Sequence, residues 1–446
     1  MMKVLGFIGT LLMVGTTLAQ TTTNNNQWVG MPLKTGQQGG MPKAYTVVKP
    51  LSLAPSASAG TANPQALGAI SANSHGSGHG PIGLPLWLYY NPSSRDNNQY
   101  VGFMVGKNPF TEGGTSKIHT LIVPVAITTN TIGQSVDPNT GLITSIAGVT
   151  TFDPTAADSN CMAAPNNVPA TVFRQSPIFE NAKFKFGGTN VGNTQYLDAF
   201  QRANFWNTIG WEDYHVLLNP ITVLPKLVLN VPPAYGTSFT PELAVQLGAT
   251  QTPCGPEAIV DINWLDAYIV NTYMPSLMAS GALNSGAFPI FQVYNTFLDV
   301  NSPTPNLAEC CILGYHGAVA YTPVQTYAVA DFDTTGNFGP GAQDSAVLAH
   351  EIGEWVNDPY GSNFVPLWGN TGQVQGGCQG NLEVGDPLTG ALMPPVKMPN
   401  GFTYHLQELA FYSWFFGKPS TGVNGWYSSN GTFTTDAGAP CVFPTN

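Results

Sequence analysis

His350 and Glu354 stand four residues apart in Asp-Ser-Ala-Val-Leu-Ala-His-Glu-Ile-Gly-Glu-Trp-Val-Asn-Asp-Pro-Tyr-Gly, residues 344–361. On a helix that spacing sets two side chains side by side, as two ligands of one small ion require. Glu351, one residue on from His350, is placed where a carboxylate reaches a water at that ion without itself being a ligand. With seven histidines and ten glutamates in 446 residues, accidental His-Glu-x-x-Glu has an expectation of roughly 0.004 per chain, so the spacing is a signal.

The helix that must carry these residues has its own local logic. Asp344 or Ser345 is the N-cap, and Pro359 with Gly361 ends the helix. Leu348, Ile352 and Trp355 share a face and are expected to meet the core, while His350 and Glu354 project from another. Gly353 costs about 1 kcal/mol against alanine in a helix, so something other than helix stability selects it.

The surrounding charge pattern favours a cation. Between Lys226 and Lys397 there is no lysine or arginine, yet the interval holds 14 acids. Carboxylates buried there require a distant base, a shifted pKa or a bound cation.

The motif resembles the zinc-binding helix of the zincin metallopeptidases, His-Glu-x-x-His, with Glu354 in the place of the second histidine. The longer run is similar to secreted zincin-like proteins with His-Glu-x-x-Glu, an Asn/Thr-Asp-Pro, a tryptophan and a Glu-Ile-Gly-Asp turn. Here these are His350 to Glu354, Asn357-Asp358-Pro359, Trp368 and Glu383-Val384-Gly385-Asp386. More loosely the run resembles the plant phosphate-induced, exordium-like wall proteins. The likeness covers about residues 310–420. It implies His350 and Glu354 as ligands, Glu351 as general base, and a third ligand from Glu383 or Asp386. Glu383 is preferred, because its longer side chain returns more easily from a turn to a helix. Zinc is the expected ion, one per chain, with another divalent metal as the alternative, since one histidine and two carboxylates form a harder donor set than two histidines and one. Tyr404 and His405 are candidates for an electrophilic donor to an oxyanion.

Other residues carry weaker signals. His119, His215 and His316 stand singly in apolar surroundings and read as buried structural histidines. His75 and His79 lie in a glycine-rich linker, and Asp331-Phe332-Asp333 lacks the further oxygens of a strong calcium signal. No Gly-x-Ser-x-Gly elbow, P-loop or dinucleotide fingerprint occurs.

Residues 1–19 read as a signal peptide, with Lys3 ahead of an apolar run and Thr17-Leu18-Ala19 before the cleavage point. Residues 20–85 read as a low-complexity tail or linker, and 86–446 as one globular, loop-rich domain whose metal-site segment spans 310–420. The six cysteines of an exported chain predict three disulfides, with Cys310 and Cys311 bridging to different partners. Charged residues make up 9% of the chain and the net charge is −11, which excludes a basic nucleic-acid or anionic-membrane footprint. Strands are expected at 119–128, 216–231, 287–298 and 317–329, and helices at 196–206 and 262–277. The fold class is therefore mixed α+β, a zincin-like core with a metal-binding helix packed on a sheet and stapled by disulfides. The expected function is a secreted zinc-dependent hydrolase acting on peptides or proteins. The alternative is a non-catalytic extracellular or wall-associated protein with a structural metal site.

Overall fold

The structure is a computed structural model that describes residues 45–49 (backbone only), 83–133, 146–209, 213–246, 249, 251–299, 310–369, 378–436 and 441. The expected signal segment and the 75–79 histidines lie outside the described residues. In chain order the strands are β1 (Tyr45–Lys49), β2 (Leu86–Pro92), β3 (Gln99–Val105), β4 (Thr115–Ile132) and β5 (Ile146–Phe152). Then come β6 (Ala182–Phe186), β7 (Thr189–Thr194), β8 (His215–Val223), β9 (Leu227–Asn230), β10 (Gly236–Phe239) and β11 (Glu257–Asp261). The last are β12 (Ala287–Tyr294), β13 (Thr296–Asp299), β14 (Cys310–Val319), β15 (Gln325–Phe332), β16 (Phe364–Gly369), β17 (Cys378–Asn381), β18 (Val396–Lys397) and β19 (Thr403–Tyr404).

Seven of these strands close a mixed barrel in the order β14-β13-β11-β10-β4-β12-β15, with β15 returning to pair antiparallel with β14. β5, β8 and β9 extend the sheet along the 18-residue β4, and β1, from the segment read as tail, pairs parallel with β14. The expected class is borne out at the level of mixed α+β with few helices, and the organising element is this barrel.

Sequence explains why these strands are central. β12 and β15 are buried at every position, and such strands read as continuous apolar runs rather than alternating ones. Their two faces feed different clusters. Phe288, Ile290, Ala328 and Ala330 pack with Leu348, Ile352 and Trp355, while Phe291, Val293, Tyr327 and Val329 pack with Ile262, Leu265 and Ile269. Fully burying a leucine, isoleucine or phenylalanine contributes about 1.5–3 kcal/mol, so the Ala346–Asn357 helix is held mainly by this contact.

The helical expectations hold with adjusted ends, at Tyr196–Asn204 and across 262–279. The expected 287–298 strand is two strands hinged at Asn295, whose φ is 46°. The disulfides are Cys161–Cys254, Cys310–Cys311 and Cys378–Cys441. The expected count holds, but Cys310 and Cys311 bond to each other across a cis peptide. The expectation of separate partners, which rested on the strain of a bridge between adjacent cysteines, is corrected. Among the described residues no helix is long and apolar enough to cross a membrane.

Candidate metal centre

The Ala346–Asn357 helix lies on β14 and β15, and all twelve of its residues are buried. It is therefore not amphipathic: the face carrying His350 and Glu354 is covered as fully as the Leu348–Ile352–Trp355 face. Two glycines allow the close approach. A Cβ on Gly314 would lie 2.7 Å from Val347 Cγ1 and 2.9 Å from Glu351 Oε1, so a glycine in β14 lets the helix settle on the strand. A Cβ on Gly385 would lie 2.5 Å from His350 Nδ1, so the Glu383–Asp386 turn passes directly over that ring. Gly353 also has a packing reason, since a Cβ there would lie 2.3 Å from Leu409 Cδ1. The helix begins after Ser345 without a side-chain cap. Asp344, at φ 44°, bonds His405 as well as the Ser345 amide.

Two histidines face five carboxylates here. His350 Nε2 is 2.8 Å from Glu354 Oε1 and 3.6 Å from Asp386 Oδ1. Its Nδ1 is 3.1 Å from Gln407 Oε1, and Gln407 donates its amide to the Gly385 carbonyl at 2.7 Å. His316, on β14, has Nδ1 3.3 Å from Glu351 Oε2 and 3.6 Å from Glu354 Oε2. Its Nε2 is 3.2 Å from the Asp358 carbonyl oxygen and 3.8 Å from Glu383 Oε2. Glu354 Oε1 also accepts from the amides of Gly385 and Asp386, both at 3.2 Å. Two sets of donor atoms lie within 4.8 Å of one another, His316–Glu351–Glu354 and His350–Glu354–Asp386, sharing Glu354.

These buried His/Glu clusters could hold a metal ion, and the unsatisfied atoms say so most directly. Glu351 Oε1 and both oxygens of Glu383 are buried with no hydrogen-bond partner. The described ion pairs of these carboxylates are all with histidine. Ionised carboxylates in such an interior require a counter-charge or a proton. One imidazole nitrogen with carboxylate oxygens is a donor set that suits a divalent cation of the zinc or manganese kind.

Without an ion, protons redistribute within the cluster. Burial works against the charged form of His350, but the adjoining Glu354 carboxylate outweighs it and raises the imidazole to about 10. Burial lowers His316 to about 4. Burial also drives Glu351 and Glu383 well above the usual carboxylate range, and for Glu383 the neighbouring Glu354, Asp358 and Asp386 add to it. Glu354 is the exception: burial pushes it upward, yet the charge and hydrogen bond of His350 hold it below its ordinary value. Asp358 is raised by burial to about 7 although it accepts from the amides of Ser362 and Asn363.

The structure brings His350, Glu351, Glu354, Glu383 and Asp386 into one cluster. Asp386 falls in the His350 set, while Glu383 lies nearer His316. His405 falls in neither set, since its amide and Nδ1 both bond Asp344, at 2.9 and 2.6 Å. The Tyr404 hydroxyl donates to the Val172 carbonyl at 2.7 Å. His119 and His215 have local partners, Thr222 at 3.0 Å and Asp198 at 2.8 Å. Sequence reasoning missed His316 and Asp358. The one available hint for His316 was a histidine flanked by Gly314 and Gly317 within an apolar strand, where small residues mark a close approach. Comparison with protein-family models, with curated proteins and with solved structures finds no match to this chain.

Proposed function

We propose that this chain is an exported metal-dependent hydrolase, with zinc as the first-choice ion and peptide bonds as the substrate class. The observation that carries the reading is the convergence of two imidazoles and five carboxylates, with three open carboxylate oxygens and no basic side chain among their described ion pairs. His350, Glu354 and Asp386 would hold the ion, and such an ion polarises a carbonyl and makes water a nucleophile near neutral pH. Gln407 fixes the His350 ring, and the amides of Gly385 and Asp386 fix Glu354. Glu351, with one oxygen against His316 and the other open, would take and return a proton. The three disulfides support an extracellular setting.

A second reading, a metal-stabilised scaffold without turnover, is favoured by one observation. Each of the seven side chains at the centre is at most 5% exposed, so none opens broadly to solvent. Elemental analysis of purified protein, followed by turnover of a peptide library by wild type and Glu351→Gln, separates the two. The hydrolase reading expects bound metal and a fall of about 10²–10⁴ in turnover on Glu351→Gln. Metal with no cleavage across a pH series establishes the scaffold, and no metal after zinc supplementation ends both.

A further inference from the structure

We propose that the cluster is a two-cation centre bridged by Glu354. One position lies between His350 Nε2, Glu354 Oε1 and Asp386, and the other between His316 Nδ1, Glu351 and Glu354 Oε2. The inference rests on the reading that the first position takes an ion, and extends it to a second ion with its own ligands.

The hydrogen bonds assign the tautomers. Gln407 turns its NH2 to the Gly385 carbonyl, so the oxygen it presents to His350 Nδ1 can only accept, and Nδ1 carries the proton. His316 Nε2 faces the Asp358 carbonyl, which also only accepts, so that nitrogen carries the proton. Each imidazole therefore turns its other nitrogen inward, toward carboxylate oxygens. For His316 that nitrogen meets Glu351 Oε2 at 3.3 Å and Glu354 Oε2 at 3.6 Å. A lone pair facing ionised carboxylate oxygens is repulsive unless a proton or a cation lies between them. An outer N–H held by a carbonyl, with the other nitrogen aimed at carboxylates, is the arrangement of metal-binding histidines. It occurs here twice.

Glu354 divides its two oxygens between the two histidines, Oε1 to His350 and Oε2 to His316. That is the disposition of a bridging carboxylate in two-metal sites. Glu351 Oε1 is buried and unpartnered beside His316, an open donor for the second position. With that position filled Glu351 is a ligand rather than the proton acceptor of the single-ion reading.

The test is metal stoichiometry on the full chain. Protein equilibrated with Mn2+ and desalted should carry about two ions, with an electron paramagnetic resonance spectrum of a coupled pair. His316→Gln should retain about one ion and give an isolated Mn2+ spectrum, with circular dichroism unchanged. One ion in wild type, with an uncoupled spectrum and no change in His316→Gln, overturns the second position and leaves the single-ion reading standing. No ion in wild type overturns both. The wild-type stoichiometry and spectrum decide the matter even where the variant does not fold.

Discussion

The molecule buries two groups of acids, and they differ in what surrounds them. In the first, Glu351, Glu354, Asp358, Glu383 and Asp386 surround two histidines at the junction of the 346–357 helix, β14 and the 383–386 turn. In the second, Glu257, Asp331 and Asp333 meet where β15 runs into the loop at 333–337, with no histidine among them. There each carboxylate has one oxygen bonded: Glu257 to the Asn337 amide at 3.1 Å, Asp331 to the Thr296 amide at 3.1 Å, and Asp333 to the Thr335 amide at 2.8 Å. The other oxygens are open; burial, with the charge of Asp333, raises Glu257 to about 8, and burial, with the charge of Asp344, raises Asp333 to about 6. Protons can neutralise that group. The first group also turns imidazole nitrogens toward its carboxylates and shares one carboxylate between two sets of donors, an arrangement suited to cations. Burial alone thus does not separate the two groups; the convergent imidazole nitrogens and carboxylate oxygens do.

The largest effect that tests this contrast is removal of the ion proposed for the first group. Chelation, or His350→Ala, should lower stability by about 3–5 kcal/mol, the cost of leaving buried charge uncompensated. Thermal melts with and without chelator read it out, and Glu257→Gln should show the same chelator shift as wild type. A melt indifferent to chelation would mean that the two groups are alike.

Gly385→Ala sharpens the first half of the comparison. Its Cβ would meet the His350 ring at 2.5 Å, so the ring or the turn must move. Metal affinity should fall about 10–100-fold, the range for a disturbed supporting contact, as measured by competition with a chromogenic chelator. Unchanged affinity would show that the turn does not hold the ring.

Glu257→Gln addresses the second half. Its folded pKa, about 8, lies above the unfolded value near 4.5. The folded state therefore binds the extra proton between those values, and stability falls as pH rises through that window. The variant should flatten this fall and gain on the order of 2–3 kcal/mol relative to wild type at pH 8. Denaturant melts at pH 5 and pH 8 give the slope, and an unchanged slope would mean that something other than a proton neutralises Glu257.

The smallest effect belongs to His405, which pairs with Asp344 beside the second group. Its hydrogen bond to Asp344 raises the imidazole, against partial burial. The charged form is thus favoured in the fold, with a contribution complete below about pH 6.5 and lost as pH rises through the raised value. His405→Gln should cost about 0.5–1 kcal/mol at pH 5.5 after solvent screening, and less at pH 9. A cost that grows with pH would place the charge elsewhere.

The sequence by itself determined the local parts. Pro359 marks the end of a helix, and the i, i+4 rule puts His350 beside Glu354 whatever the rest of the chain does. The missing lysines and arginines between 226 and 397 announced acids in need of a countercharge. Apolar runs at 119–128, 287–298 and 317–329 marked strands, because β-branched and aromatic residues are legible one segment at a time. Only the tertiary structure decided which strands close the barrel, that β1 joins β14, and that His316 joins the site. His316 lies 34 residues before His350, and nothing in an apolar strand says which helix will lie on it. Gly314 carries that contact, since the missing side chain is what lets Glu351 approach β14. Which of Glu383 and Asp386 lies beside His350 likewise depends on how the 383–386 turn meets the helix, a relation between distant segments that residue spacing does not encode.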